Sequence, residues 1–195
     1  MTYTLDMSEI KLIGLIAFLI FIYRQFVLPR RIFKMPWMVG HFAHRGLYTK
    51  DQTIPENSLL SFEKAIELGV GIELDISLSH DHELMVFHDD DLNRLCHLNV
   101  KLEDLTADKL KQIKLLNSNQ TICSLKDVLT LVHGQVALMI ELKSTNKRAL
   151  SVQVLKECLK SYTGPVCCVS FDPLLLWEVK KQMPDVLRGQ IVENF

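Results

Sequence analysis

Hydrophobic positions divide this chain into short apolar runs that alternate with stretches of helical periodicity. The runs centre on Phe42 and on residues 72–77, 84–87, 136–142, 166–170 and 187–192, and their β-branched content predicts strands. Between them, Asn57 or Ser58 is placed to cap a helix that runs through Leu68 and is stopped by Gly69. Thr106 opens a helical stretch from Ala107 to about Leu115, and Ser124 caps another from Leu125 to about Val132. Residues 148 to about 161 and 173 to about 183 are two more, the last ended by Pro184. Strand–helix alternation of this kind predicts a mainly parallel α/β fold. The link from Ile76 to Leu84 is too short for a crossover helix, so that junction is irregular or a hairpin.

One apolar run has a different character. Residues 12–23 are continuously apolar, Arg24 and Gln25 interrupt, and Phe26, Val27 and Leu28 resume. A spanning helix takes roughly 17–25 residues. Residues 10–28 reach that length if Lys11 and Arg24 snorkel to the interfaces. Arg30, Arg31 and Lys34 come next in a short basic linker, whereas Asp6 and Glu9 precede. Basic charge on the C-terminal flank places the downstream domain on the cytoplasmic side. A cleaved signal peptide is disfavoured, since the basic n-region and the small-x-small cleavage site are missing. A buried soluble helix is disfavoured because the segment is apolar all round. The expectation is a single-pass membrane protein. Residues 1–34 form a hydrophobic anchor helix with its basic flank, and residues 35–195 form a domain on the cytoplasmic side.

Charged residues set into the apolar runs change the picture more than composition does. In the run from Gly71 to Ile76, Glu73 and Asp75 share one strand face and Ile72, Leu74 and Ile76 the other. Like charges on neighbouring same-face positions repel and are costly to desolvate, which points to a cation between them. Hard divalent ions such as Mg²⁺ or Ca²⁺ take carboxylate oxygens. The run from Val136 repeats the pattern, ending with Glu141 and Lys143 on one face. Polar groups at the C-terminal ends of apolar strands are where parallel α/β folds keep their active sites. Before Glu73, a strand-like piece breaks at Gly46 with His44 and Arg45 exposed, and His88 with Asp89 ends a later run. Carboxylates for a metal, Arg and Lys for phosphate oxygens and His for proton transfer make up a kit for phosphate chemistry.

The series His44-Arg45-Gly46, Pro55-Glu56-Asn57-Ser58, Glu73-Leu74-Asp75, His88-Asp89 and Glu141-Leu142-Lys143 resembles, in order and spacing, the motifs of the glycerophosphodiester phosphodiesterases. The resemblance runs from about His41 to near the C-terminus. It implies a TIM barrel, (β/α)8, and hydrolysis of glycerophosphodiesters to an alcohol and glycerol phosphate with a divalent metal. It further implies His44 and His88 as the acid/base pair, Glu73, Asp75 and Glu141 as metal ligands, and Arg45 and Lys143 as the grip on phosphate. Ser58 stands where Thr is usual. His82 stands in a turn that often ends in Gly in this family, so it must adopt another backbone conformation or accept φ > 0. Six strands are legible, the last running almost to Phe195, against the roughly 250 residues of a complete barrel. The domain is therefore expected to be incomplete at its C-terminus, as a fragment or an open barrel. Alternatives are a lysophospholipase D acting on membrane lysolipids and an inactive, membrane-anchored binding protein.

Bland readings stand beside these. Glu141 with Lys143 competes as a plain surface ion pair. Glu56 and Asn57 read as a helix-start device, and Asp89-Asp90-Asp91 as a solvated loop preceding Asn93-Arg94 rather than a metal site, with Asp89 placed to orient His88. With 22 basic and 23 acidic residues the net charge is −1, which excludes bulk electrostatic binding to nucleic acid. The five cysteines lack Cys-x-x-Cys spacing and read as reduced and buried.

Overall fold

The computed structural model describes residues 6–26 and 40–192. The chain falls into two units, residues 1–33 and 34–195.

In the first unit, helix α1 (Met7–Phe26) is 20 residues long, with Glu9 in its first turn and Arg24 in its last, each complementing the helix dipole. Asp6 Oδ1 accepts the main-chain N–H of Ser8 at 2.8 Å and closes the first turn. The membrane expectation is corrected here: among the described residues, no helix is long and apolar enough to cross a membrane. Glu9, Lys11 and Arg24 leave only residues 12–23 free of charge. At 1.5 Å per residue that stretch reaches about 18 Å, short of a hydrocarbon core of about 30 Å. The single-pass localisation falls with it. Arg30, Arg31 and Lys34, which carried the orientation argument, lie outside the described residues, as does the linker at 29–39.

The second unit is built on one sheet of strands β1 (Phe42–Ala43), β2 (Gly71–Leu78), β3 (Leu84–Val86), β4 (Cys123–Ser124), β5 (Leu138–Leu142), β6 (Val166–Ser170) and β7 (Leu187–Gln190). Its order is β4-β3-β2-β5-β6-β7, with β1 also pairing with β2. The stretch from β2 through β5 and β6 to β7 is parallel, while β3 lies antiparallel to both β2 and β4. The β2–β3 junction is therefore the hairpin of the two options expected. His82 in its turn takes φ 66°, the left-handed conformation that the missing glycine would have adopted without strain. The described strands leave the sheet open, with β4 and β7 at its two ends, so the α/β class holds and barrel closure does not.

Helices α2 (Leu59–Leu68), α5 (Leu125–Val132), α6 (Arg148–Leu159) and α7 (Pro173–Gln182) cover the sheet, with the short α3 (Asn93–Cys96) and α4 (Ala107–Leu110) between β3 and β4. The caps arise from local chemistry. Ser58 and Ser61 form a capping box, and Ser124 and Asp127 form another. Gly69 ends α2 at φ 70°. Asp172 accepts from Leu174 at the start of α7 and pairs with Arg148 at 2.6 Å, tying α6 to α7. Ile72, Leu74 and Ile76 of β2 pack with Phe62, Val128 and Leu138 in the main core. A second apolar cluster, including Phe87, Leu92, Leu95 and Leu110, seats the long connection after β3. Cys123, Cys167 and Cys168 are buried and all five cysteines are free. Burial pushes the Cys123 and Cys168 thiols up to about 12, which keeps them protonated and inert.

Candidate active site

Strand register assembles the acidic cluster. Parallel pairing of β2 with β5 sets Asp75 opposite Glu141. Glu73, two residues earlier on β2, shares their face. Ligand atoms of Glu73, Asp75 and Glu141 all lie within 4.8 Å of one another, and the three residues are 8%, 1% and 7% exposed. Three carboxylates this close and this buried need compensation. Lys143 Nζ supplies part of it, 2.9 Å from Asp75 Oδ1 and 2.7 Å from Glu141 Oε1. Burial opposes the Lys143 charge, but Glu141 and Asp75 more than offset it and hold the ammonium above its ordinary value. Lys143 is thus no surface ion pair. Asn57 Nδ2 donates to Asp75 Oδ2 at 2.9 Å, and the Arg45 main-chain N–H donates to Glu73 Oε2 at 2.9 Å.

Glu73 is the member of the cluster without a cationic side-chain partner among the described residues. Burial, then repulsion from Asp75, pushes its carboxyl up to about 7, with the Arg45 N–H offsetting part of the rise. A carboxyl raised from 4.5 binds its proton more tightly in the folded state. Its contribution to stability is complete below the unfolded value and is lost as pH rises through about 7. Thermal unfolding in chelator should show stability declining between pH 5 and 8, by at most roughly 3 kcal/mol from this group. Glu73→Gln should remove that component. An unchanged pH profile in Glu73→Gln would contradict the assignment.

Arg45 and Asn57 frame the cluster from loops. Both carry positive φ, 58° and 52°, and the Asn57 N–H donates to the Arg45 carbonyl at 2.9 Å. Between them sits Gly46 at φ 79°, where an added Cβ would lie 2.3 Å from Ser61 Oγ, so no other residue fits. The Arg45 guanidinium bonds Glu56 through Nη1 at 2.7 Å and approaches Asp75 Oδ2 through Nε at 3.6 Å. That Nε is buried and has no hydrogen-bond acceptor among the described residues. It is a donor held in reserve beside the carboxylates.

The histidines are placed differently. The Phe87 N–H donates to the Asp75 carbonyl at 3.1 Å, which brings the following His88 to the C-terminal half of β2. His88 Nδ1 lies 2.6 Å from Asp89 Oδ1. Burial opposes the Asp89 charge, but hydrogen bonds from Arg94 and His88 hold its carboxyl below the ordinary value. His44 is exposed in the turn after β1, adjoins Arg45 in the chain, and has no hydrogen bond or ion pair among the described residues. Lys143 and Asp89 line one polar cavity of about 330 Å³ together with Ser77, Ser144 and Asn146.

Sequence reasoning undervalued two residues here. Glu56, read as a helix-start residue, is 3% exposed and bonds both Arg45 and Arg94. Arg94, given no role by the sequence, reaches Glu56 across 38 positions of sequence. No local pattern announces such a pair. The only signal available was the cost of a buried carboxylate, which requires a cation from somewhere.

Residues 44–187 match the sequence model of the Glycerophosphoryl diester phosphodiesterase family. The chain belongs to that family. As a glycerophosphoryl diester phosphodiesterase family member it has relatives of greater length. It is 37% identical over 116 residues to the glycerophosphodiester phosphodiesterase of Bacillus altitudinis, covering 56% of this chain and 46% of that one. With the glycerophosphodiester phosphodiesterase of Caldanaerobacter subterraneus it shares 30% over 162 residues, 77% of this chain and 65% of the relative. A human lysophospholipase D is 32% identical over 73 residues, 37% of this chain and 22% of that protein. The solved Oleispira antarctica phosphodiesterase in complex with the product sn-glycerol-3-phosphate superposes with a TM-score of 0.72 at 27% identity, over 78% of this chain and 65% of that one. The Thermotoga maritima glycerophosphodiester phosphodiesterase gives 0.65 at 31%, over 78% and 62%. The solved family structures are TIM-barrel-like, and this chain covers less than two thirds of each of these proteins.

Proposed function

We propose that the chain carries the catalytic centre of a metal-dependent phosphoric diester hydrolase of lipid metabolism. It would cleave glycerophosphodiesters to an alcohol and glycerol phosphate on a TIM-barrel-type domain spanning 35–195. The observation that carries this reading is the buried cluster of Glu73, Asp75 and Glu141, within 4.8 Å of one another and flanked by Lys143 and Arg45. The donor set fits a hard divalent cation: every ligand is a carboxylate oxygen, and oxygens about 2.0–2.6 Å from an ion lie within about 5 Å of each other. Mg²⁺ and Ca²⁺ both meet that condition. Such an ion, when bound, polarises a phosphoryl oxygen and offsets developing charge.

The chain's own residues take the other roles. Arg45 offers its Nε, which has no hydrogen-bond acceptor among the described residues, and Lys143 its ammonium to the phosphate oxygens. His88 holds Asp89 through Nδ1, which leaves Nε2 to exchange a proton with substrate. His44 beside Arg45 serves as its partner, one histidine deprotonating the nucleophile and the other protonating the leaving alkoxide. The nucleophile is water or a glycerol hydroxyl of the substrate.

Purified chain supplied with glycerophosphocholine and Mg²⁺ or Ca²⁺ should release glycerol 3-phosphate, read by a coupled dehydrogenase assay. Release no greater than from Asp75→Asn rejects the reading. A lysophospholipase D is the second reading, favoured by a cavity of about 540 Å³ where Leu150, Leu174 and Trp177 stand beside Lys147, Arg148 and Glu178, and which shares Asn146 with the polar cavity. A higher kcat/KM for lysophosphatidylcholine than for glycerophosphocholine would select it.

A further inference from the structure

Arg94 lies outside the motifs that carry the family resemblance, yet its guanidinium is clamped between two carboxylates of the site. Nε donates to Asp89 Oδ2 at 2.7 Å and Nη2 to Asp89 Oδ1 at 2.9 Å. Nη1 donates to Glu56 Oε2 at 3.0 Å and Nη2 to Glu56 Oε1 at 2.8 Å. Both contacts are bidentate, the geometry that a planar guanidinium provides and a lysine ammonium cannot. On the far side of Asp89, Oδ1 lies 2.6 Å from His88 Nδ1. On the far side of Glu56, Oε1 accepts from Arg45 Nη1 at 2.7 Å. An unbroken line of hydrogen bonds thus joins His88 to Arg45 through Asp89, Arg94 and Glu56.

The backbone under this line is fixed by packing. Leu92 and Leu95, on either side of Arg94, are buried in the second apolar cluster with Phe87 and Leu110. Asp91 Oδ1 accepts the Asn93 N–H at 2.9 Å at the start of α3. Arg94 itself is 45% exposed, and an ion pair so exposed would be worth little if its partners were exposed too. Glu56 is 3% exposed, which rules that out for one partner. Asp89, held below its ordinary carboxyl value, is ionised and can only accept, so the proton between it and His88 belongs to Nδ1.

We infer that Arg94 is a positioning residue: it holds Asp89 so that His88 keeps its proton on Nδ1 and turns Nε2 to the substrate, and it holds Glu56 so that Arg45 keeps its guanidinium beside the carboxylate cluster. The role of Nε2 toward substrate rests on the function proposed above. The state of the His88 ring does not, and this allows the two to fail separately.

The test uses the full 195-residue chain with ¹⁵N-labelled histidine. Long-range ¹H–¹⁵N correlation spectra of the neutral ring report its tautomer, with His88→Gln assigning the signal. Wild type should show the Nδ1–H form. Arg94→Lys and Arg94→Gln, checked for folding by thermal unfolding, should show both tautomers in exchange. In kinetics on bis-p-nitrophenyl phosphate with Mg²⁺, Arg94→Lys should lower kcat about 10²-fold, the scale of a small misplacement of reacting groups. Adding Arg94→Lys to Asp89→Asn should lower kcat by clearly less than Arg94→Lys does alone, because part of its effect passes through Asp89. A wild-type proton on Nε2 overturns the inference whatever the variants do. So do variants that retain both the wild-type tautomer and kcat, and so does full additivity with Asp89→Asn. If the tautomer responds as expected while no phosphodiester is cleaved, the inference about His88 stands and the proposed function falls.

Discussion

His88→Ala is expected to lower kcat on glycerophosphocholine by about 10²–10⁴-fold, the range that a positioned general acid or base contributes. The reason is geometric. The main-chain bond from Phe87 to Asp75 fixes the approach of His88, and Asp89 at 2.6 Å fixes its ring. Truncation to alanine removes the proton-transfer group and leaves the carboxylate cluster intact, so cation binding should persist. His44→Ala should cost a similar factor. The double variant should cost less than the product of the two, since one reaction cycle passes through both residues. A single variant with near-normal kcat removes that histidine from the chemistry. His44 is the more exposed to this outcome, having no partner that orients it among the described residues.

Glu73→Gln is expected to abolish measurable Mg²⁺ and Ca²⁺ binding by calorimetry. Glu73 is the carboxylate of the cluster with no ion pair to a cationic side chain among the described residues, and its charge at neutral pH is suppressed by burial and by Asp75. A divalent ion reverses both effects, because it binds only the ionised carboxylate. Wild type with metal at 100 times its Kd should gain about 2.7 kcal/mol of stability, and Glu73→Gln should gain almost none. Chelation should silence wild-type turnover, and added Mg²⁺ or Ca²⁺ should restore it. Equal binding by the two proteins, or binding by neither, would remove the cluster from consideration as a metal site.

The parts of this site that lie on regular strands were legible before the structure. Glu73 and Asp75 could be placed on one face because the strand period is two. Glu141 was joined to them by the family resemblance, since the run from Val136 by itself put it only on one face with Lys143; the register of β2 with β5 sets it opposite Asp75. The helix caps at Ser58 and Ser124 were legible for the same local reason. What escaped lacks a period. Strand β4 is Cys123–Ser124, too short to alternate. Helix α4 stops at Leu110 rather than about Leu115, because the chain turns back and the Ile113 carbonyl accepts the Ile122 N–H at 3.1 Å. The pairing of Glu56 with Arg94 is a tertiary contact with no local trace. At the N-terminus the apolar pattern was read correctly as continuous, but its length in ångströms and the charges bounding it were weighed too lightly.

Arg45 and Asn57 hold left-handed backbone, and in the function proposed above their side chains serve the carboxylate cluster. At both positions the main chain favours glycine while the proposed chemistry excludes it, so on that proposal folding and turnover make opposite demands on the same codon. Laboratory evolution of this protein would feel that conflict directly. Lineages selected for heat tolerance and lineages selected for speed should diverge at 45 and 57 sooner than at the evenly packed positions of the sheet, where both selections ask for the same residue.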